Sequence, residues 1–321
     1  MVNARQAHVG TLCEQIPWQV WRICYRGAVT PPATPPPDPN PPDRRALQDW
    51  QRFWQDAGID GCTATLPPAV AASISGGWQA LLSCVPPAMR LLDVACGRGA
   101  ILVLARAQGF TEVCGVDLVA IDTADPAITG GVDAAHLPFA DQSFDIVTSQ
   151  FGIEYAGLVA AGLEAARVAR HHLWLLLHAA EGPIAAQARE QLEQLGWLRD
   201  EEGAFALIRA HASAPDASAS ARLQALRVRL VARAETAENT TLLEGLWHNI
   251  GDMLNGDASR AAGMVSELEA YATRLSTMAA AAPTADETQQ LRARLEGQGW
   301  QVEIRGEGQQ PVARWLLATR R

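Results

Sequence analysis

The 321-residue chain contains no lysine: all 26 of its basic residues other than histidine are arginine. Chemistry that begins at a lysine amine is therefore excluded, whether a Schiff base, a pyridoxal-phosphate anchor or a Walker-type phosphate loop. The six cysteines (Cys13, Cys24, Cys62, Cys84, Cys96, Cys114) are scattered, form no CxxC pair and follow no secretory leader. Free thiols, a reducing compartment and a cytoplasmic location are the expectation, with no metal site. No apolar run reaches the roughly 18 residues that a membrane span requires, so no membrane partner is expected. The formal charge of -9 leaves no overall basic footprint for phosphates, and nucleic acid is not the expected partner.

What is present is enough apolar sequence, 48% of the chain, to bury a large core. Residues 1–43 end in "TPPATPPPDPNPPD", where proline removes donors and fixes φ, so an extended, weakly ordered arm is expected. A helical segment follows over 44–86, in which Leu47, Trp50 and Trp54 share an aromatic face suited to packing or to roofing a pocket. From 87 to 181 strand and helix alternate: "RLLDVA", "GAILVLARAQ", "EVCGVD", "FDIVTS", a helix ending in the pair His171 and His172, and the wholly apolar "HLWLLLHA". Such alternation predicts an α/β, doubly wound, mostly parallel sheet, with ligands outside the carboxyl ends of its strands.

Between 182 and 282 the signals turn helical. Leu223, Leu226 and Leu230 recur at helical spacing, then Leu243, Leu246, Trp247, Ile250 and Leu254, then Met264, Leu268, Tyr271, Leu275 and Met278. The alternating pattern resumes over 283–321, opened by a candidate capping box, Thr284 with Glu287, and closed by two strand-like runs. The helical block is thus expected to be an insertion, serving as lid, substrate domain or dimer contact.

"LLDVACGRGA" places Asp93, Ala95, Gly97 and Gly99 at a strand-to-helix turn, where glycine lets backbone approach a ligand and helix amides favour electronegative groups. A dinucleotide fingerprint needs a third glycine three residues on, and Leu102 stands there. The pattern resembles the class I S-adenosylmethionine-dependent methyltransferases, with their Rossmann-like seven-stranded sheet. That resemblance implies a second acid on the ribose, Asp117 in "VCGVDL", with Leu118 beside the adenine, and a third position at Asp133 with Ala134 in "GGVDAAHLPF". It further implies S-adenosylmethionine as cofactor, S-adenosylhomocysteine as product, and a reaction site after the fourth strand, in "SQFGIEY".

In that stretch Gln150 is expected at the methionine end of the cofactor. Glu154 and Tyr155 are expected to orient the acceptor, although an acid here also suits the cap of the next helix. His178, at the end of the fifth strand, is the candidate base; the alternative for a histidine there is a structural role. His171 and His172, read as a helix end, need no further role. The amine-modifying relatives' Asn/Asp-Pro-Pro-aromatic signature is missing, and no cysteine follows Asp117 to serve C5 attack on cytosine. The expected activity is methyl transfer to a small molecule of specialised metabolism. Its rivals are an RNA or protein methyltransferase that docks through the helix bearing Arg222, Arg227, Arg229 and Arg233, and a non-catalytic cofactor-binding protein. Homodimerisation through the helical block is a further expectation.

Overall fold

A computed structural model of the protein describes residues 44–64, 66–256, 261–306 and 311–320. The proline-rich arm expected over 1–43, with Cys13 and Cys24, lies outside the described residues. Helices α1 (Arg44–Asp56) and α2 (Pro68–Ser83) precede the sheet, and α2 opens with proline in its first turn, where a missing N–H costs nothing. Then follow β1 (Leu91–Val94), α3 (Ala100–Ala107), β2 (Val113–Val116), β3 (Ile128–Thr129), β4 (Phe144–Gln150), α4 (Leu158–Val168) and β5 (Ala169–Leu177). Helices α5 (Pro183–Gly196), α6 (Ala204–Ser213), α7 (Ala217–Ala234), α8 (Thr241–Leu254) and α9 (Ala261–Ala281) come next. The chain closes through α10 (Ala285–Gly297), β6 (Gln301–Arg305) and β7 (Arg314–Thr319).

The seven strands form one sheet in the order β3-β2-β1-β4-β5-β7-β6. The pairs β3-β2, β2-β1, β1-β4 and β4-β5 are parallel, and β7 runs antiparallel to both β5 and β6. The sequence-based fold class, doubly wound and mostly parallel with a helical insertion after the fifth strand, is the one observed. The buried residues 173–177 of β5 sit between β4 and β7, which accounts for their unbroken apolar run. No helix joins β2 to β3; Asp125 braces this segment, pairing with Arg106 of α3 at 2.5 Å and accepting the Ala127 amide at 3.0 Å.

One expectation is corrected. His171 and His172 are not a helix end: α4 stops at Val168, and His172 pairs with Ile146 on one side and Thr319 on the other. Alanine- and arginine-rich sequence runs on without a breaker, but the sheet hydrogen bonds available on both sides win over helix propensity.

The bundle of α5–α9 holds its own apolar cluster, including Leu223, Leu226, Leu230, Leu243, Leu246 and Ile250. At roughly 1.5–3 kcal/mol for each fully buried side chain, these six alone supply a core independent of the sheet's. Asp216 caps α7 through the Ala219 amide, and Thr284 and Glu287 form the capping box expected at the start of α10. Where the bundle leaves and rejoins the sheet, the buried Arg314 pairs with Glu181 and donates to the Pro283 carbonyl. No described helix is long and apolar enough to cross a membrane.

Candidate active site

Strands β1 and β4 are neighbours, but the chain continues from β1 to β2 on one side and from β4 to β5 on the other. Their carboxyl ends therefore flank the point where the winding reverses, the usual ligand crevice of such sheets. Backbone conformation is unusual at both ends. Ala95 after β1 has φ 55° and Phe151 after β4 has φ 54°, in the left-handed region that side chains disfavour by about 1–3 kcal/mol. The two turns press together: a Cβ on Gly152 would lie 2.5 Å from the Ala95 methyl, so only glycine fits.

Three carboxylates converge there. Asp93, 2% exposed, accepts a hydrogen bond of 2.8 Å from the Thr148 hydroxyl of β4. Burial pushes its pKa up to about 8, partly opposed by that hydrogen bond and helped by the nearby Asp117 charge. Asp117, after β2, accepts the Gly97 amide on one oxygen and the Val119 amide on the other, both at 2.9 Å. It thereby ties the glycine loop to the end of β2; burial raises its pKa and those amides hold it back. Cys62 lines the same cleft, where burial and the charges of Asp117, Glu154 and Asp93 push its thiol up to about 12. It stays protonated near neutrality and offers no thiolate nucleophile.

The third carboxylate, Glu154, is in a short 3-10 turn after β4 and is 3% exposed. Its Oε1 accepts the backbone amide of His178 at 3.0 Å and faces His178 Nδ1 at 2.8 Å. Its Oε2 is buried without a partner among the described residues. Glu154 does not cap α4, which Gly157 precedes with no side-chain cap; it stands in the first turn of the 3-10 helix with one oxygen on His178. Toward an ionised carboxylate Nδ1 is the donor, and in a neutral ring Nε2 then keeps the lone pair. The Phe151 ring lies 4.5 Å from that imidazole and Tyr155 meets it edge-on at 6.3 Å. Burial, then the Glu154 charge, raises the Tyr155 phenol well above its ordinary value, so it stays neutral.

Helix α1 lies over this crevice and also packs on α9 of the bundle, so its aromatic face takes both of the roles open to it. Trp50 meets Tyr155 edge-on at 5.4 Å, and Trp54 lies on the glycine loop, where a Cβ on Gly97 would come within 2.5 Å of its ring. Arg98 donates to the Trp54 carbonyl at 2.8 Å. From the bundle, Arg274 of α9 stands over Phe53 at 5.2 Å and Tyr271 at 5.7 Å, so α9 supports the roof. The narrow cleft beneath is lined by Trp54, Cys62, Asp93, Ala95, Cys96 and Gln150 among others.

The expected residues divide as follows. Asp93, Ala95 and Gln150 line the cleft, and Gly97, Gly99 and Asp117 form and anchor the loop beside it. Glu154, Tyr155 and His178 form the adjoining cluster. Leu118 is exposed at 38% beyond β2, while Asp133 accepts the Ala135 amide and pairs with His136 at 2.9 Å, with Ala134 buried beside it. In the helical block, the histidine beside Trp247, His248, is exposed on α8 and bonded to the Glu244 carbonyl. Sequence reading did not single out Thr148, Cys62 or Trp78, which donates from its indole to Gln150 Oε1 at 2.6 Å.

Residues 92–177 match the family described as "Methyltransferase domain", a segment that runs from β1 to the end of β5. Among solved structures, the cyclase SpnF is 21% identical over 34% of this chain and 46% of its own, with a TM-score of 0.30. The chain thus spans about half the length of that relative. Geranyl diphosphate C-methyltransferase from Streptomyces coelicolor is 16% identical over 44% of this chain and 68% of its own, with a TM-score of 0.33. Magnesium protoporphyrin IX methyltransferase from Synechocystis is 11% identical over 87% of this chain and 93% of its own, with a TM-score of 0.38. No curated protein sequence matches the chain. The matched segment, 92–177, holds the motifs by which the sequence resembles the class I S-adenosylmethionine-dependent methyltransferases.

Proposed function

We propose that the protein transfers a methyl group from S-adenosylmethionine to a small-molecule acceptor, leaving S-adenosylhomocysteine. The observation that carries this reading is the buried Glu154–His178 pair, standing at the same strand ends that present Asp93, the glycine loop and Asp117. These residues fit the cofactor. Each Asp117 oxygen holds one amide and keeps a lone pair for a ribose hydroxyl. Ala95, Gly97 and Gly99 keep the turn low, Leu118, Asp133 and Ala134 border the adenine side, and Asp93 and Gln150 take the amino-acid end. When bound, the cofactor supplies an electrophilic methyl on a sulfonium.

The remaining work falls to the chain's own groups. Glu154 holds the imidazole with Nε2 free, and that nitrogen takes the proton from the acceptor's O–H or N–H as the new bond to carbon forms. Tyr155, neutral, and Trp50 hold the acceptor in line, and α1 keeps water out. A small acceptor is favoured over RNA by the fate of α7's arginines. Arg229 pairs with Glu202, and Arg227 and Arg233 stack on Trp247 and Trp197, so few remain for phosphates. Cys62, Cys84, Cys96 and Cys114 form no disulfide among the described residues, which suits a cytoplasmic setting. Homodimerisation belongs to the same proposal, and the exposed Val228 and Val231 of α7 are the positions at which charge would disrupt it.

The test is to incubate the protein with methyl-labelled S-adenosylmethionine and fractionated small-molecule extract, then identify what gains a methyl. Label in a small molecule, lost in the His178→Gln variant, supports the reading. Tight cofactor binding without turnover in any fraction leaves only a binding protein, and label confined to macromolecules moves the acceptor class.

A further inference from the structure

We infer that Trp78, fully buried and outside the cleft lining, is a positioning residue that fixes the Gln150 amide as a donor aimed at an anionic group in the cleft. The inference rests on the cofactor reading above and goes beyond it by assigning the device that gives the amino-acid end its polarity.

An indole N–H can only donate, so the group facing it across 2.6 Å must be an acceptor. The Gln150 amide is therefore held with Oε1 toward Trp78, and its NH2 is turned the other way. Trp78 cannot swing to release it: it is fully buried in α2, with the Trp315 ring of β7 against it at 4.8 Å. Gln150 is the last residue of β4 and lines the cleft, and its Nε2 has no protein partner among the described residues.

The opposite polarity stands in the same cleft. Asp93, an acceptor once ionised, lines it from the end of β1, next to β4. A donor amide and an acceptor carboxylate on adjacent strand ends are complementary to a zwitterion, an α-carboxylate on Gln150 and an α-ammonium on Asp93. A glutamine free to flip would present its oxygen to the carboxylate half of the time and repel it. Trp78 removes that alternative.

The experiment compares two ligands by calorimetry: S-adenosylhomocysteine, which carries the zwitterion, and methylthioadenosine, which lacks it. In wild type the first should bind far more tightly. Trp78→Phe keeps a ring in the core but removes the donor, and should weaken S-adenosylhomocysteine by about tenfold while leaving methylthioadenosine within twofold. Because the indole is fully buried, a second variant guards against misfolding: Gln150→Glu keeps an acceptor for Trp78 but replaces the NH2 with a negative oxygen, and should cost S-adenosylhomocysteine at least as much. A ratio of the two affinities unchanged from wild type in both variants overturns the inference. Parallel loss of both ligands in Trp78→Phe, with Gln150→Glu unaffected, marks Trp78 as merely structural and overturns it too. Failure of wild type to bind either ligand sinks the cofactor reading itself.

Discussion

Two glutamates, one in the bundle and one at the sheet, make opposite use of the same side chain. Glu190 of α5 accepts the amides of Glu238 and Asn239, and beside it Gln191 and Gln194 bond to Asn239 while Tyr271 donates to Gln191 at 2.7 Å. Both Glu190 oxygens are consumed in holding helices together. Glu154, more deeply buried, gives one oxygen to His178 and leaves the other without a partner. A buried polar atom left unmade costs about 1–3 kcal/mol, and the same neighbourhood holds two non-glycine residues at positive φ. The Glu190 carboxylate closes on backbone amides and serves the fold, whereas the Glu154 carboxylate, at the strained strand ends, keeps one oxygen open.

The largest effect should come from the open side. His178→Gln should lower the single-turnover transfer rate by about 10²–10⁴-fold with S-adenosylhomocysteine affinity unchanged. A drop below tenfold would make the pair structural and erase the contrast. Asp117→Ala should act on binding instead, removing the ribose acceptor and the tether to the Gly97 amide. At about 1.5–3 kcal/mol for a charge-assisted hydrogen bond, affinity should fall by tenfold or more. Unchanged affinity by calorimetry would remove Asp117 from the site.

The open side was also the more legible in sequence, for a local reason. Asp93, Gly97, Asp117, Gln150 and Glu154 each sit within a few residues of a strand end, so apolar runs and glycines mark them without knowledge of the fold. The same local view failed wherever a distant partner decides. Nothing near Trp54 or Trp78 points to Arg98, 44 residues on, or to Gln150, 72 residues on. His171 and His172 were misread because their strand is defined by β4 and by β7, near the end of the chain. The contact of Glu154 with His178 is equally invisible to a local view, because His178 lies at the end of the next strand.

Asp93 sharpens the comparison through pH. The folded protein keeps its proton up to about pH 8, whereas the unfolded chain releases it near the ordinary 3.8. Native protein therefore binds more protons across that window, and the ligand-free fold is most stable below it and loses stability as pH rises toward 8. Asp93→Asn retains an acceptor for Thr148 and has nothing to titrate, so the decline in Tm between about pH 5 and 8 should flatten. A variant with the wild-type slope would assign it to another group. The cofactor's ammonium reverses the sense for binding: affinity in wild type should rise toward pH 8 as the carboxylate ionises.

The smallest effect should come from the closed side. Tyr271→Phe removes one neutral hydrogen bond to Gln191 in the bundle, a loss of about 0.5–1.5 kcal/mol, and should lower Tm by about 2 °C or a little more. The ring stays to stack on Arg274, so the support under α1 is retained. Transfer rate and cofactor affinity should then match wild type within twofold. The alternative outcome is the more instructive one: if removing this single hydroxyl changes the transfer rate tenfold with Tm unmoved, the bundle is not a closed unit. The path from Tyr271 through Arg274 and Phe53 to Trp50 and Tyr155 would then carry the acceptor site into the helices, and the division drawn from the two glutamates would fail at that joint.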